Sequence, residues 1–195
     1  MRKVIAAINM TLDGYCDHTA MIADEEVHQH YTDLIKSAGT LIYGRITYQL
    51  MESYWPTLVA KPSGDKSMDE FAVAIDSISK IVFSHTLKNA GPMAIDPITV
   101  GWKSARMAKG SIKEEILSLK QQAGKDILVG SPSLIVALMK LNLVDEYQLS
   151  VQPTIVGSGL PLFKNISDRI NLKLLKTKTF SSGSNTFYYE PTIAK

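Results

Sequence analysis

Residues 126–141, DILVGSPSLIVALMKL, constrain the fold more than any other stretch of the sequence. The continuous apolar run at 127–129 is typical of a strand that is covered on both faces. Gly130 permits a tight turn, Ser131 is a favourable N-cap, and Pro132 suits the first helical position because its φ is preset and it has no N–H to leave unpaired. The sequence therefore predicts a buried strand that leads directly into a helix beginning at Pro132.

This predicted connection is a candidate phosphate site. The unpaired N–H groups and the positive dipole end of the helix would point outwards at the carboxyl edge of a parallel sheet, where α/β proteins bind phosphates. A strand-to-helix connection with a purely structural role uses similar residues, so both interpretations stay open on this stretch alone.

Strands and helices are predicted to alternate along the rest of the chain. Predicted strands occupy residues 4–12, 40–43, 80–84, 99–107, 127–129 and 147–152. Predicted helices occupy residues 25–38, 45–52, 70–77 and 132–142, and Gly39 is expected to end the first of them. A further helix is predicted to begin at the capping box formed by Ser111 and Glu114 and to end at Gly124. Residues 53–69 and 89–97 are predicted to be loops, the first long enough to border a pocket.

The hydrophobic pattern changes near the C-terminus. Residues 147–152 alternate between apolar and polar side chains, which is the period of a strand with unlike faces. Residues 174–180 and 186–189 flank the loop Ser-Ser-Gly-Ser-Asn and form a predicted antiparallel hairpin. We therefore predict a single α/β domain over residues 1–195, with a mostly parallel sheet and the hairpin at one of its edges.

Composition excludes several classes of protein. The chain of 195 residues is 45% hydrophobic and 21% charged, as in ordinary soluble globular proteins, and no stretch is typical of a signal peptide or a membrane span. Its net charge of +2 comes from basic residues dispersed among nearly as many acids, which gives no footprint for nucleic-acid binding. The single Cys16 allows neither an internal disulfide nor a thiolate metal cluster, and this fits a reducing cytosol.

The GRITY segment that follows the predicted strand at 40–43 is a second candidate phosphate site. Gly44 lets the backbone turn, Arg45 supplies a guanidinium fork at a helix start, and Thr47 adds a hydroxyl. Ser84 and His85 end another strand and would reach the same sheet edge. A basic residue stands near the strand end where an acid would bind a ribose 2′-hydroxyl, which favours NADP over NAD; taken alone, Arg45 also fits a solvated surface position.

Six segments in order resemble the dihydrofolate reductase-like superfamily, and more narrowly the riboflavin-biosynthesis reductase (RibD C-terminal) domain and its stand-alone relatives. The segments are AAINMTLDGY, LIYGRITY, KIVFSHT, ILVGSPSL, LVDEYQLSVQPTIVGSGLPLF and the terminal hairpin. The resemblance covers essentially the whole chain. It implies a three-layer α/β/α fold, NADPH as the cofactor and a homodimer.

The resemblance also implies a set of cofactor contacts. The matching positions in this sequence are Ala7, Thr11, Gly14, Gly44, Arg45, Thr47, Ser84, His85, Gly130, Ser131, Ser133 and Leu134. One departure concerns the pyrophosphate turn, which has two or three glycines in the family and only Gly130 here. Asp13 follows the first strand at the expected nicotinamide end and is the catalytic candidate, with turn formation as the alternative.

The substrate is less defined by the sequence. His28 stands near the position where dihydrofolate reductases carry a carboxylate, and the lysine that riboflavin-pathway enzymes carry before the SLDG-type motif is absent. A folate activity is therefore not expected. Aromatic residues form the expected pocket lining, with ordinary core packing as the alternative: Tyr31, Tyr54 and Trp55.

The remaining reactive side chains are expected to have structural or surface roles. His28 and His30 are two residues apart on a helix, so they would point to different sides of its surface and form no chelating pair; no metal site is expected. Cys16 is expected to be an unactivated thiol, and Asp145 a turn residue.

The sequence thus predicts a cytosolic NADPH-dependent reductase that transfers hydride to a small heterocyclic substrate. The riboflavin-pathway reduction of 5-amino-6-(5-phosphoribosylamino)uracil is one candidate reaction. No nucleic-acid or membrane partner is expected. The alternatives are a nucleotide-binding sensor or assembly protein without turnover, and an α/β protein that binds a flavin.

Overall fold

The computed structural model describes residues 1–22, 24–87, 90, 100–167 and 169–192. Within these residues the strands are β1 (Val4–Thr11), β2 (Ala38–Gly44), β3 (Ser79–Phe83), β4 (Arg106–Met107), β5 (Asp126–Val129), β6 (Glu146–Gln152), β7 (Leu172–Thr179) and β8 (Asn185–Pro191). The α-helices are α1 (Glu25–Ser37), α2 (Arg45–Glu52), α3 (Trp55–Ala60), α4 (Lys66–Ser77), α5 (Val100–Lys103), α6 (Ile112–Gln121) and α7 (Pro132–Lys140), with a short 3₁₀ turn at His18–Ala20.

The strands form one sheet in the order β4-β3-β2-β5-β1-β6-β8-β7. Strands β1 to β6 run parallel to one another, whereas β8 is antiparallel to both of its neighbours, β6 and β7. The predicted mostly parallel sheet with a C-terminal antiparallel hairpin is confirmed.

Helices cover both faces of the sheet because its central strands are apolar on both sides. Along β1, Val4, Ala6 and Ile8 pack in a core with side chains from α6 and α7. The alternate residues Ile5 and Ala7 pack in a second core with side chains from α1 and α4. Successive strand residues point to opposite faces, so the continuous apolar run of β1 places it inside a three-layer α/β/α fold, as expected.

Local capping residues define several helix starts. The Asp24 carboxylate accepts a hydrogen bond from Val27 N at 2.7 Å, which begins α1 as predicted. Ser111 and Glu114 form the predicted capping box of α6. These bonds satisfy N–H groups that lack acceptors within the helix.

The interpretation of residues 53–69 as a loop is wrong. The helix α3 occupies part of this stretch, with Pro56 in its first turn, and α4 begins before residue 70 because Asp65 caps it by accepting from Met68 N at 3.1 Å. Asp65 is a favourable N-cap residue, so the sequence itself carries the signal for this earlier helix start.

A strand over residues 99–107 is also wrong. Of the described residues, 100–103 form the short helix α5 and only 106–107 pair with β3. The buried Trp102 anchors this helix against the core beneath β3. The loop expected at 89–97 lies outside the described residues apart from Ala90.

Gly39 does not end α1 as a C-cap. The helix ends at Ser37, and Gly39 lies inside β2. A Cβ at this position would lie 3.2 Å from the backbone oxygen of Lys125, so the glycine allows close approach of the segment that precedes β5. Likewise α6 ends at Gln121, before Gly124.

None of the helices in the described part of the chain combines the length and apolar character that a membrane span requires.

A candidate cofactor and substrate site at the carboxyl edge of the sheet

The carboxyl ends of β1, β2, β3 and β5 meet at one edge of the sheet because these strands are parallel. Most of the residues predicted to contact a cofactor follow these strand ends. Gly130 comes after β5, which lies between β1 and β2, and Ser84 comes after β3, whose Phe83 is opposite Gly44. The topology therefore brings the separate sequence segments to a common edge.

We call Gly44, Gly130, Ser131, Ser133 and Leu134 the strand-end junction. Gly44 N donates a buried hydrogen bond to Ser131 Oγ at 2.9 Å. A Cβ at Gly44 would lie 3.4 Å from Ser133 Oγ and 3.8 Å from Leu134 Cγ. The junction thus places the N-terminus of α2 beside the N-terminus of α7.

The Ser131 side chain does not cap α7, which corrects the expected role of this residue. It stands at the N-cap position but makes no capping hydrogen bond, because its hydroxyl accepts from Gly44 instead. The neighbouring Gly130 leaves room beside β1: a Cβ there would lie 3.8 Å from the backbone oxygen of Ala7. Ala7 therefore lies next to the junction.

Arg45 and Thr47 occupy the first turn of α2 on the outer side of the junction. Arg45 is exposed, and its Nη1 donates to Gln49 Oε1 at 3.1 Å on the same helix. Ser84 Oγ accepts from Leu87 N at 2.8 Å, and His85 is exposed beside it. These side chains border the junction at the surface.

Asp13 is a turn residue in this structure. Its exposed carboxylate accepts from Thr11 Oγ1 at 2.6 Å and from Gly157 N at 2.7 Å, which ties the loop after β1 to the loop after β6. The hydrogen bond from Thr11, followed by those from backbone N–H groups, lowers the pKa of Asp13. Gly14 then turns with a φ of 89°. An ionised carboxylate with these partners suits turn formation better than proton donation.

Four polar residues on the α1-facing side of the sheet form what we call the polar row: Asn9, Ser150, Gln152 and Thr186. Ser150 is opposite Asn9 on one side and Thr186 on the other. Tyr31, from α1, lies over the row with its Oη 3.0 Å from Asn9 Oδ1 and 2.8 Å from Ser150 Oγ. Burial raises the pKa of Tyr31, which keeps the hydroxyl protonated.

The sequence analysis predicted Tyr31, which lies over the polar row, but none of the four residues that form the row. A signal was available, since Gln148, Ser150 and Gln152 alternate with apolar residues in β6. We interpreted the alternation as a strand with unlike faces, but both faces are buried, and Ser150 and Gln152 are only 3% and 1% exposed. The polar face meets β1 and α1, where Ser150 and Gln152 hydrogen-bond to Tyr31 and Asn9, whereas the buried Gln148 Oε1 has no hydrogen-bond partner among the described residues.

Tyr54 and Trp55 lie apart from the polar row. The Trp55 ring packs on Phe71 with centroids 4.4 Å apart and on Tyr54 at 5.1 Å. Tyr54 is 46% exposed. This packing favours the alternative of ordinary packing between α3 and α4, whereas Tyr31 contacts polar groups of the sheet.

His28 and His30 point to different sides of α1, as predicted, but His30 is not simply on the helix surface. His28 Nδ1 lies 3.3 Å from Ser67 Oγ. The His30 ring lies 5.3 Å from that of Phe180 and 6.4 Å from that of Tyr188. Burial, followed by the Lys178 charge, lowers the pKa of His30 to about 4. His30 is therefore a neutral packing residue between α1 and the hairpin.

Cys16 and Asp145 have structural surroundings. Burial raises the pKa of Cys16 to about 11, so its thiol is not activated. Asp145 precedes β6, and its Oδ2 accepts from Val4 N at 2.7 Å and pairs with Lys120 Nζ. Among the described residues, no group of three His, Cys, Asp or Glu side chains is arranged to hold a metal ion.

Comparison with known proteins extends these observations. The chain is 34% identical over 186 residues to the uncharacterized protein YyaP of Bacillus subtilis (strain 168), covering 93% of this chain and 91% of that one. The fold is similar to that of a pyrimidine reductase-like protein from Corynebacterium diphtheriae, with a TM-score of 0.67, 16% identity and coverage of 99% and 93%.

The fold is also similar to that of Enterococcus faecalis dihydrofolate reductase complexed with NADP(H), with a TM-score of 0.59, 12% identity and coverage of 98% and 97%. The model of the RibD C-terminal domain matches residues 2–185. With a match over nearly its whole length, this chain belongs to the RibD C-terminal domain family.

Proposed function

We propose that this protein is an NADPH-dependent oxidoreductase that transfers hydride to a small heterocyclic substrate. Its membership of the RibD C-terminal domain family supports a reductase-type function. The similar dihydrofolate reductase from E. faecalis is complexed with NADP(H), which supports the choice of cofactor. The proposal rests on one observation above the others, the strand-end junction.

The strand-end junction fits the phosphates of a dinucleotide. The bond from Gly44 N to Ser131 Oγ holds two helix N-termini side by side, and both dipoles favour an anion there. Because α7 begins at Pro132, the N–H groups of Ser133 and Leu134 lie in its first turn and have no acceptor within the helix. The missing Cβ at Gly130 leaves room for close approach of a ligand to the backbone.

We assign the cofactor contacts accordingly. The backbone of Gly130, Ser133 and Leu134 would bind the pyrophosphate, and Arg45 would bind the 2′-phosphate with its guanidinium fork. Further contacts at the adenosine phosphate and at the nicotinamide end are assigned to Thr47, Ser84, His85, Ala7, Thr11 and Gly14. When bound, NADPH supplies the hydride, and the residues of this chain orient the reactants and exclude water.

The polar row is our candidate for the substrate side of the site. It lies on the face of β1 that carries Ala7, and none of its side chains is charged. A phosphorylated substrate needs a cation. The polar row and Tyr31 carry none, and Lys178, which lies opposite Thr186, has its Nζ 4.6 Å from the centroid of the Phe180 ring. We therefore favour an unphosphorylated heterocycle over 5-amino-6-(5-phosphoribosylamino)uracil as the substrate.

The test of this proposal is a titration of the purified protein with NADPH and, separately, NADH, followed by cofactor fluorescence and thermal shift. We expect saturable binding with preference for NADPH, and oxidation of bound NADPH by a neutral heterocycle in a screen. Binding of neither nucleotide would refute the cofactor assignment, and a yellow protein with bound flavin would replace it.

We further propose a cytosolic homodimer. The edge strand β7 exposes Leu174 and Leu175 at 50% and 45%, which provides apolar surface on the terminal hairpin. Light scattering coupled to size-exclusion chromatography should give twice the chain mass of 21.5 kDa. A monomer at micromolar concentration would contradict the dimer without affecting the cofactor assignment.

A further inference from the structure

The orientation of the Asn9 carboxamide is determined by a chain of hydrogen bonds that starts at the backbone. Ile22 N lies 3.2 Å from a Gln152 side-chain atom, and a backbone N–H only donates, so that atom is the oxygen Oε1. The other end of the Gln152 amide is therefore Nε2, which donates to Asn9 at 3.2 Å. The Asn9 atom that accepts this bond must be the oxygen Oδ1.

Tyr31 is compatible with this orientation. Its Oη lies 3.0 Å from Asn9 Oδ1 and 2.8 Å from Ser150 Oγ, so its single proton can be donated to Asn9 while Ser150 donates to Tyr31. The nitrogen Nδ2 has no hydrogen-bond partner among the described residues. Asn9 is partly buried and keeps some access to solvent, unlike the fully covered Thr186 at 0% exposure. The network thus holds the Asn9 amide with its two N–H donors free.

The position of Asn9 relates this free donor to the proposed reaction. Asn9 lies two residues after Ala7, so both side chains are on the same face of β1. The two side chains that hydrogen-bond to it, Tyr31 and Gln152, are uncharged. A cation on this face of the sheet, Lys178 opposite Thr186, has its Nζ 4.6 Å from the centroid of the Phe180 ring. A partly buried donor whose hydrogen-bonded neighbours are uncharged is best satisfied by a neutral acceptor, because burial of an unpaired charge there has a large desolvation cost.

We propose that Asn9 Nδ2 donates a hydrogen bond to a carbonyl oxygen or ring nitrogen of an uncharged substrate, and that Gln152 positions it to do so. This inference rests on the proposed function, because it places the substrate beside the nicotinamide end of the cofactor. Asn9 is then a specificity-determining residue: it selects ligands with an acceptor atom at that edge and disfavours ligands that present only a donor.

Two neutral bicyclic probes distinguish these ligand types. Quinoxaline has two ring nitrogens that accept hydrogen bonds, whereas the ring nitrogen of indole donates. Both are titrated into ¹⁵N-labelled full-length protein, with and without saturating NADPH. We expect quinoxaline to shift the side-chain amide resonances of Asn9 and to bind at least fivefold more tightly than indole.

Substitutions at Asn9 identify the interacting atom. Asn9→Asp keeps an oxygen for Tyr31 and Gln152 but removes the N–H donors, and Asn9→Leu removes both. Each should weaken quinoxaline about tenfold, as expected for a lost hydrogen bond that leaves a buried acceptor unpaired. The exposed Asn171→Asp makes the same change of charge away from the row and should leave quinoxaline affinity unchanged.

The possible failures can be told apart. Unshifted Asn9 resonances in the wild-type protein, equal affinity for both probes, or wild-type quinoxaline affinity in Asn9→Asp would each overturn the inference. Loss of fold in Asn9→Leu would leave the resonance shifts and Asn9→Asp as the test. Absence of NADPH binding to the wild-type protein would refute the proposed function, and the titrations without cofactor would still decide the role of Asn9.

Discussion

The strand-end junction and the polar row are on the same sheet but are built in opposite ways. The junction is formed by glycines, short side chains and backbone N–H groups, and a buried hydrogen bond joins Gly44 to Ser131. The polar row is formed by side-chain amides and hydroxyls, in which Ser150 Oγ lies 2.6 Å from Thr186 Oγ1 and Tyr31 connects the row to α1.

The difference shows two ways to prepare a polar site inside an apolar fold. Backbone donors at helix N-termini are fixed by the strand-turn-helix connection itself, so they need little support from elsewhere. Side chains such as Asn9 have rotatable bonds, and several distant residues must hold them. Changes that loosen α1 or the hairpin should therefore affect the polar row more than the junction.

Lowering the pH should produce the largest change in stability. We expect it to weaken the polar-row side of the molecule, where His30 packs, before the junction. The folded pKa of His30 is about 4, because burial disfavours its charged form, against about 6.5 in the unfolded chain. The unfolded state therefore binds more protons below pH 6.5, and the His30 contribution to stability is lost as pH falls from 6.5 to 4. Because solvent reaches the half-buried ring and screens its charge, we expect a loss of about 2 kcal/mol in the free energy of unfolding, measured by urea denaturation across that range.

The control for this prediction is His30→Phe, which keeps an aromatic ring between Phe180 and Tyr188 but cannot be protonated. Its stability should vary less between pH 6.5 and 4 than that of the wild-type protein. An identical pH dependence in both proteins would show that other groups are responsible.

Ser131→Ala should weaken the junction itself. The substitution leaves the buried Gly44 N–H without its acceptor, and such an unsatisfied donor costs about 1–3 kcal/mol. In a chain of this size, we expect the Tm to fall by about 2–4 °C for each kcal/mol. Ser133→Ala is the matched control, because Ser133 is exposed on the same turn and should leave the Tm within about 1 °C. Equal Tm values for the two variants would show that the Ser131 hydroxyl does not stabilise the junction.

The junction was largely accessible to sequence reasoning because its signals are local. Gly44 and Gly130 each follow a short apolar run, and helices begin after both of them, as predicted. The contact between Gly44 and Ser131 was not predicted, because it joins residues 87 positions apart in the chain. Ser131 was expected to cap its own helix, and tertiary structure gave its hydroxyl a different partner.

The polar row was not predicted because its members come from β1, β6 and β8, which are far apart in the chain, and Tyr31 of α1 covers it. Asn9 was included in an apolar strand, and the alternation in β6 showed a polar face without showing what covers it. That information depends on the sheet order, in which β6 lies between β1 and β8. Local sequence patterns were therefore sufficient to predict the strands and the two strand-to-helix turns of the junction. The polar row depends on long-range strand pairing, which such patterns do not specify.

Tyr31→Phe should destabilise the protein less than Ser131→Ala. The comparison distinguishes a hydrogen-bond network with alternative partners from a single hydrogen bond. The lost hydroxyl leaves Asn9 Oδ1 with its bond from Gln152, and Ser150 with its bond to Thr186. No buried group loses its only partner, so the expected cost is about 1 kcal/mol in the free energy of unfolding. A larger loss of unfolding free energy than in Ser131→Ala would contradict this prediction. It would mean that the other polar-row hydrogen bonds depend on the Tyr31 hydroxyl.

Arg45→Ala should leave stability unchanged and alter only the choice of nucleotide. Arg45 is exposed, and its recorded bond is to Gln49 on its own helix, so the Tm should stay within about 1 °C. If its guanidinium binds the 2′-phosphate, NADPH affinity should fall by about fivefold, whereas NADH, which lacks that phosphate, should change by less than about twofold. Arg45→Lys keeps the charge but loses the planar fork, so its NADPH affinity should lie between that of the wild-type protein and that of Arg45→Ala. Fluorescence titration of each variant with both nucleotides measures these ratios, and an equal loss for NADPH and NADH would exclude Arg45 from the 2′-phosphate site.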